Sequence, residues 1–522
     1  MKQRITYLVR NPDEFTPEQL AVKPSSIALR KVNAAKEHRI TLGLEELPDE
    51  LRKAFNQWHE LHIRWASESP YDAIPPFTSR VSPGLHVFYT PQKDHPDSLL
   101  CPLLKEVFGN GFVCEDPKET FIKLPILSER FSMSSSTQFY TRIPDLASLV
   151  SYFQSKICPL SPNSCKISAS TLLSASYVDI DYDAISHTLI INAFWARAPN
   201  EENHWTETIS LPGSQETIEI GILNNEPNPD PEDISFSGFL TVLGQDTQPK
   251  PTRFQTPTRH YPLSASSLVY KTSFAHPTGL HPTLILTLPT KHLEPPDTTC
   301  RLHAHLTLPR TLFIDKYQFS DSLFLSSHHI TSLRSISGAT DLEAPDWVVP
   351  QWGSAALFEL DTPSSDPDPD QEAGRDWNIT IPLHLRYFPP SNSTHTPLAV
   401  PWPVLFWACR AEEGTKMSVN PFDRIHLGYE ALFGPKTRFM HIPPAASRNG
   451  NGNGRGRREG GGELVEWIDV PVLDLRKAGW VEVGTVGVVL VSFLGLCWVL
   501  FGKGVGEGGA GVKKVGKGKK RQ

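Results

Sequence analysis

The sequence lacks the short patterns from which catalytic sites are usually recognised. Its 522 residues contain no GxSxG, HExxH or P-loop motif, and no glycine-rich dinucleotide fingerprint between a strand and a helix. Cysteine is scarce, with 7 residues, and none forms a CxxC pair or a Cys/His spacing typical of zinc. We therefore predict no catalytic residue, no cofactor and no metal ligand.

Positive charge is in short supply over most of the chain. The 50 lysines and arginines are outnumbered by 57 acidic residues, which gives a net charge of −7. The densest basic run stands at the C-terminal end, after residue 502. A nucleic-acid surface would need a basic patch in the folded part, so we expect no nucleic-acid partner.

Long apolar runs are absent with one exception, around which the rest of the chain is organised. Val483–Phe501 reads VGTVGVVLVSFLGLCWVLF and contains neither a charged residue nor a proline. A helix of about nineteen residues rises roughly 28 Å, close to the thickness of a bilayer's hydrocarbon core. The run predicts a single transmembrane helix. The alternative, a buried core helix, is disfavoured because no other run is as long or as free of charge.

The charges that flank this run predict its orientation. The segment after it is basic with one acid, Glu507, whereas the segment before it is mainly acidic. The positive-inside rule then places the tail in the cytosol and the preceding chain across the membrane. The chain ends Lys519-Lys520-Arg521-Gln522, which resembles the dilysine signal for retrieval to the endoplasmic reticulum. That signal is read in the cytosol, in agreement with the predicted orientation.

The first residues, MKQRITYLVRNPDEF, include basic side chains but no apolar run of signal-peptide length. We therefore expect the final span itself to direct translocation of the large preceding part. The alternative is a tail-anchored protein whose bulk stays in the cytosol. That arrangement would leave the basic tail on the lumenal side, against the charge rule.

Proline is abundant, with 47 residues among short apolar runs, which favours strands and loops over long helices. The expected fold is mainly β, with an N-terminal α+β region, a C-terminal antiparallel β-sandwich in the lumen and one transmembrane helix. We place the boundaries at 1–270 for the α+β region, 271–444 for the sandwich, 445–462 for a Gly/Asn/Arg linker, 463–482 for a last strand and juxtamembrane segment, 483–501 for the span and 502–522 for the tail.

In the N-terminal region, helical spacing predicts one helix that contains Leu51, Phe55, Trp58, His62 and Trp65. Two further helices are predicted at 97–108 and 144–157, and a β-hairpin at 177–197.

The hairpin contains the triplet Asp179, Asp181 and Asp183, which resembles the Asp-x-Asp pairs that hold a divalent cation in many glycosyltransferases. A solvated strand edge is the favoured interpretation, because no nucleotide-binding βαβ pattern surrounds the triplet. For His303 with His305 and for His328 with His329, we favour surface positions over zinc binding.

The strictest alternation in the chain is at 377–388, where odd-numbered residues are apolar and even-numbered ones mostly polar. Pro382 cannot donate a hydrogen bond to a neighbouring strand, so this is predicted to be an edge strand or to carry a bulge. We hypothesise that His384 and Arg386, on the polar face, contact a partner or support an outer polar network. The alternative is a solvated face.

Cys497 lies inside the predicted span, and the other six cysteines precede it. In an oxidising lumen these six could pair, but free buried thiols explain them equally well. Two sequons, at Asn378 and Asn392, are predicted glycosylation sites if the region is lumenal.

Four stretches between 275 and 472 carry a family resemblance: Gly279-Leu280-His281-Pro282-Thr283-Leu284, the segment PLHLRYFPP at 382–390, Pro401-Trp402-Pro403 with Phe406-Trp407-Ala408-Cys409, and Ile468-Asp469-Val470-Pro471-Val472. With the single span that follows, they resemble the PIG-X family, and in particular its longer fungal members, the PBN proteins. The first 270 residues resemble the fungal extension, for which no residue roles are implied.

The resemblance implies a non-catalytic, stabilising subunit of the endoplasmic reticulum mannosyltransferase that adds the first mannose to the glycosylphosphatidylinositol-anchor precursor. The implied partner is a multi-spanning catalytic subunit of the PIG-M type, and a further role in folding or stability of other proteins is implied for fungal members. Two alternatives stay open: a lumenal chaperone-like factor without a fixed enzyme partner, and a metal-dependent glycosyltransferase that uses Asp179, Asp181 and Asp183.

Overall fold

The computed structural model describes residues 1–92, 99–109, 111–125, 137–158, 163–211, 216–230, 232–246, 248–263, 268–340, 344–363, 376–412, 422, 427–445 and 464–501. Except for residue 445, the expected linker at 445–462 lies outside these residues. So do the tail at 502–522 and its Lys519 and Lys520. The chain divides into two compact units, one of residues 1–388 and 397–470, the other of residues 389–396 and 471–522.

The N-terminal region is built on an eleven-stranded sheet in the order β14-β13-β12-β1-β4-β10-β9-β5-β6-β8-β7, beside a small sheet in the order β11-β3-β2. The strands are β1 (Lys2–Val9), β2 (Leu20–Lys23), β3 (Ser26–Val32), β4 (Ala34–Gly43), β5 (Trp58–Ala66), β6 (Gly84–Pro91), β7 (Ile122–Lys123), β8 (Thr137–Thr141), β9 (Tyr177–Asp183), β10 (Thr188–Trp195), β11 (Trp205–Ser210), β12 (Thr217–Glu226), β13 (Asp233–Val242) and β14 (Lys250–Pro257).

Short helices contribute to the core on one face of the large sheet. They are α1 (Asp49–Phe55), α2 (Leu100–Phe108), α3 (Pro117–Thr120), α4 (Ala147–Tyr152), which continues as a π-helical turn to Ile157, and α5 (Asn163–Thr171). Leu104 of α2 and Leu149 of α4 join the same buried cluster as Ile63 and Ile180 of the sheet. The helices predicted at 97–108 and 144–157 and the hairpin β9–β10 are therefore confirmed.

The helix predicted through Trp65 is wrong beyond Phe55. The chain turns after α1 and continues as β5, in which Ile63 and Trp65 face the helical layer. His62, on the opposite face of β5, is also buried. A strand covered on both faces shows no clean polar alternation, so the spacing of its large side chains imitated a helix.

The C-terminal region is a β-sandwich. Its larger sheet has the order β15-β26-β25-β18-β21-β20, and a three-stranded sheet in the order β16-β17-β22 packs against it. The strands are β15 (His260–Pro262), β16 (Lys271–Phe274), β17 (Thr283–Pro289), β18 (Arg301–Pro309), β19 (Leu312–Phe313), β20 (Ile330–Gly338), β21 (Gly353–Leu360), β22 (Asp376–Pro382), β23 (His384–Leu385), β24 (His395–Pro401), β25 (Val404–Arg410), β26 (Thr437–His441) and β27 (Val465–Pro471).

The pairing between these strands is antiparallel except for β15 with β26. Leu286 of β17 and Ile381 of β22 meet Leu306 of β18 and Leu405 of β25 in one buried cluster. The helix α6 (Ser322–Ser327) precedes β20. Two-stranded pairings β19–β23 and β24–β27 complete the region.

The second unit contains the long helix α7, Ala478–Phe501, which includes the predicted span. An 18-residue stretch within Leu475–Phe501 has a mean hydropathy of 2.3 and none of it is buried, as expected of a helix that faces lipid. Within the same unit, Ser391 is hydrogen-bonded through its backbone to Leu473 and Leu475, just before the helix begins.

Candidate partner-binding site

Two of the stretches that carry the family resemblance, 279–284 and 382–388, lie side by side in the structure. Leu383 N–H donates to the carbonyl of Pro282 at 2.9 Å, and Leu385 N–H donates to that of Leu280 at 3.0 Å. Thr283 stands opposite Pro382 at the end of the β17–β22 ladder. Residues about a hundred positions apart in sequence thus form one continuous segment of the structure, which we take as the candidate site.

Pro382 explains the local course of the chain. It is the last residue of β22, and the chain then leaves the three-stranded sheet and pairs with β19 through β23. The prediction of an edge strand is confirmed for the described strands, although β22 ends at Pro382 rather than continuing to residue 388. The outer edge of β22 is partly closed, because Thr380 N–H donates to the carbonyl of His328 at 3.2 Å. Addition of a partner strand along this edge would displace that contact.

His384 is half-buried and lies against His281. The Nδ1 atoms of the two rings are 3.0 Å apart, so one ring donates and the other accepts. The ring of Phe313 stacks on His384 with 5.2 Å between centroids. Burial, followed by the neighbouring His281, lowers the pKa of His384, while Asp315 opposes this shift. Burial thus favours the neutral imidazole of His384, and the contact of His384 with a partner stays a prediction.

Arg386 is buried and does not lie on an outward face, which disfavours a direct contact with a partner and agrees with the other hypothesised role, support of a polar network. Only 2% of the residue is exposed, and its guanidinium stacks on Phe313 at 4.6 Å. The guanidinium nitrogens donate to the backbone carbonyls of Arg310 at 3.0 Å, Ala344 at 2.8 Å and Ala339 at 3.2 Å. The alternation holds from residue 378 to residue 385, but Ala339 and Ala344 lie over Arg386. Through these hydrogen bonds, Arg386 holds the backbone of Arg310, Ala339 and Ala344 in place.

Tyr387 also departs from the predicted alternation, because it is exposed where the alternation predicts a buried residue. It is 67% exposed although the odd-numbered residues before it are buried. Its carbonyl accepts from Asp346 N–H at 3.0 Å, which places it beside Trp347 and Val348, themselves 58% and 60% exposed. We call Trp347, Val348 and Tyr387 the aromatic patch.

The Asp triplet does not lie on a solvated strand edge. β9 is an interior strand, and Asp179 forms a fully buried, bidentate pair with Arg64, with both distances at 2.6 Å. Burial lowers the pKa of Arg64, but the charge and hydrogen bonds of Asp179 more than reverse this and raise it. Asp181 pairs with His62, and Asp183 accepts from the backbone N–H groups of the hairpin turn. The carboxylate of Asp179 is thus already engaged by a cation of the chain itself.

His303 and His305 are buried, contrary to the surface positions expected for them. They lie on the outer face of β18, which is covered by Tyr429 and Phe433. Burial lowers the pKa of His303 to about 4, with the hydrogen bond to the Arg301 carbonyl opposing it. Burial likewise lowers the pKa of His305 to about 3. Among the described residues, one cluster has metal-ligand spacing, Asp297 with Cys300 and Cys409, but its two sulfurs form a disulfide.

A buried polar chain was not found by sequence reasoning. His260 Nδ1 lies 2.9 Å from His441 Nε2, and His260 Nε2 lies 2.9 Å from Glu430 Oε1. Each of the three residues is 1% exposed. Burial, then His260, lowers the pKa of His441 well below its usual value. Histidines 181 positions apart give no local signal, so only the parallel pairing of β15 with β26 reveals them.

All six cysteines before the span are paired, as Cys101–Cys114, Cys158–Cys165 and Cys300–Cys409. This decides between the disulfides and free thiols that the sequence left open. Asn378 and Asn392 are exposed, so both sequons are accessible. Their glycosylation stays a prediction.

Comparison with known proteins extends the similarity beyond the C-terminal region. The family model described as PIG-X / PBN1 matches residues 277–501, which include both halves of the candidate site. Protein pbn1 of Emericella nidulans is 46% identical over 533 residues, covering 98% of this chain and 97% of the relative. Protein pbn1 of Aspergillus fumigatus is 43% identical over 97% of this chain and 95% of its own length. Protein PBN1 of Saccharomyces cerevisiae is 37% identical over 32% of this chain and 34% of its own length.

Proposed function

The chain belongs to the PIG-X/PBN1 family of accessory proteins in glycosylphosphatidylinositol-anchor biosynthesis, and from this premise we propose that it is a non-catalytic subunit of the mannosyltransferase that adds the first mannose to the anchor precursor. Its partner in this proposal is the multi-spanning catalytic subunit, which it stabilises. The observation that carries the proposal is the similarity to Protein pbn1 over 98% of the chain.

The proposed location is the endoplasmic reticulum membrane, with the bulk of the chain in the lumen and the tail in the cytosol. The three disulfides support this orientation, because such bonds persist in the oxidising lumen and are rare in the cytosol. Within the part of the chain that the structure describes, one helix, in Leu475–Phe501, is long and apolar enough to cross a membrane, which supports a single-pass protein.

The geometry of the site supports a stabilising role. His281 and His384 present a fixed polar pair, and Arg386 holds the neighbouring segment by backbone carbonyls. These groups can orient a surface for a partner. The engagement of Asp179 by Arg64 disfavours the alternative in which the Asp triplet holds a catalytic cation.

Affinity purification of the full-length protein from detergent-solubilised membranes tests the proposal. We expect the catalytic mannosyltransferase subunit to co-purify, and mannosyl transfer in membranes depleted of this protein to return with the wild-type chain. His281→Ala with His384→Ala should weaken recovery of the catalytic subunit, whereas the exposed control His395→Ala should not.

Two other outcomes would overturn the proposal. Undiminished transfer in depleted membranes would contradict a subunit role. Recovery of many unrelated lumenal proteins without the mannosyltransferase would favour the chaperone-like alternative instead.

A further inference from the structure

The aromatic patch is exposed but rigidly built. Trp347 and Val348 lie on a short 3₁₀ turn, and Asp346 N–H of that turn donates to the carbonyl of Tyr387 at 3.0 Å. Asp346 is itself buried and accepts from Arg310 at 3.1 Å. Exposed side chains of this size on a fixed backbone lose little conformational entropy when a surface covers them.

The covalent connection of Tyr387 to the membrane helix limits how far the patch can lie from the bilayer. Tyr387 precedes Ser391 by four residues, which span at most about 14 Å when fully extended. Ser391 accepts from Leu475 N–H at 2.9 Å, and Leu475 stands eight residues before the uncharged run that begins at Val483, about 12 Å of helix rise. These covalent lengths set an upper limit on the distance between Tyr387 and the point where the polypeptide enters the membrane.

The composition of the patch matches the interfacial zone of a bilayer. Tryptophan and tyrosine are enriched at this level because their rings combine an apolar body with a polar group. Arg310, at the edge of the patch, has 41% of its side chain exposed and can reach lipid phosphates. At the start of α7, Trp480 is 83% exposed and offers the same chemistry.

We propose that Trp347, Val348 and Tyr387 rest in the headgroup region of the leaflet from which α7 starts, so that the lipid surface is the occupant of the patch. The span anchors the chain, and the patch fixes the orientation of the sandwich on the membrane. The proposal stands independently of which enzyme the protein accompanies.

Fluorescence quenching in phosphatidylcholine nanodiscs tests this with the full-length protein. In a Cys497→Ser background, Val348→Cys and, separately, Tyr387→Cys carry an environment-sensitive fluorophore. The control is Ile185→Cys, because Ile185 is 80% exposed on the β9–β10 turn. With headgroup-proximal nitroxide lipids, we expect both patch labels to lose much more of their emission than the control label.

Equal unfolding temperatures of the labelled and unlabelled proteins establish that each variant is folded. Folded variants whose patch labels are quenched no more than the control would overturn the proposal. The patch labels could instead show no quenching by the nitroxide lipids but change emission when the mannosyltransferase subunit is added. That result would also overturn the proposal and would assign the patch to a protein interface.

Discussion

The indole Nε1–H of Trp352 donates to the carbonyl of Gln138 at 2.8 Å, and through this bond the C-terminal sandwich meets the N-terminal sheet. Trp352 N–H also donates to the carbonyl of Thr120, and its ring packs edge-on against Tyr140 at 5.6 Å. Trp352, which immediately precedes β21, and Ala355, within that strand, both belong to the N-terminal hydrophobic core. The two β regions therefore share buried surface.

Trp352→Ala is expected to destabilise both regions together. Removing a buried tryptophan typically lowers the free energy of unfolding by about 3–5 kcal/mol. Here the cavity would lie where the C-terminal sandwich packs against the N-terminal sheet. Hydrogen-exchange mass spectrometry should show lost protection in peptides from β8 and from β21 alike. Trp347→Ala, at an exposed position, is the matched control and should change little. Loss confined to the sandwich would show that the regions fold independently.

The errors of the sequence analysis have one physical origin. Alternation correctly separated the two faces of β22 and β9, but it carries no information on what lies over each face. Arg386 and Asp179 are polar residues on such second faces, and both are buried by segments distant in sequence. The strand β5 was misassigned for the same reason, since both of its faces are covered.

What the sequence could predict is local. The apolar run of α7, the hairpin β9–β10 and the edge position of the strand that contains Pro382 each follow from a few neighbouring residues. The pairing of His281 with His384 and of His260 with Glu430 depends on long-range strand register. A short stretch of sequence cannot show which distant strands pair or in which register.

Arg386→Ala should unfold or strongly destabilise the sandwich rather than act only on a partner. It would leave the carbonyls of Arg310, Ala339 and Ala344 without this donor, at about 1–3 kcal/mol for each one left unsatisfied. His384→Ala, at a half-buried position, should cost much less. Urea unfolding of the two variants in detergent gives the comparison. Wild-type stability of Arg386→Ala would contradict the role assigned to the guanidinium.

Asp179→Asn should lower stability by about 3–5 kcal/mol, because it leaves the buried charge of Arg64 uncompensated. Replacing both partners, as Arg64→Met with Asp179→Leu, should recover much of that loss, since no buried charge then remains. We expect mannosyl transfer by the double variant to stay within a few-fold of wild type at matched protein abundance. Complete loss of transfer in a stable double variant would instead favour a catalytic carboxylate.

Acid should destabilise the protein through its buried histidines. Burial lowers the pKa of His86 and His303 to about 4 and that of His305 to about 3, so the native state keeps them neutral. The unfolded chain takes up these protons below about pH 6.5, so stability is full above that value and falls toward pH 4. By this linkage, each such histidine removes about 2 kcal/mol at pH 5.

The urea midpoint measured between pH 7.5 and 5 checks this pH dependence. His305→Phe should reduce the number of protons taken up on unfolding by about one, so the midpoint should change less with pH. The exposed control His395→Ala should leave the pH dependence of the midpoint unchanged. A midpoint independent of pH over this range would contradict the neutral, buried state of these rings.

Asn378 and Asn392 allow a direct test of the proposed orientation. Both side chains are exposed, and Asn378 lies on the open face of β22, where its Oδ1 accepts from Thr287 at 2.8 Å. If this part of the chain is lumenal, oligosaccharyltransferase can reach both sequons. Endoglycosidase H should then shift the protein on a gel, and Asn378→Gln with Asn392→Gln should abolish the shift. Thr394→Ala is the matched control for the second site, because it removes that sequon without changing the asparagine.

Protease added to sealed microsomes provides a second measurement of orientation that does not depend on glycan attachment. The proposed topology leaves only the basic tail outside, so the protease should shorten the protein slightly and leave the disulfide-bonded bulk intact. Detergent should abolish that protection, which shows that the membrane, not the fold, provides it. Digestion of the bulk in sealed vesicles would overturn the lumenal orientation. An unglycosylated but protected bulk would leave the orientation standing and remove only the predicted glycans.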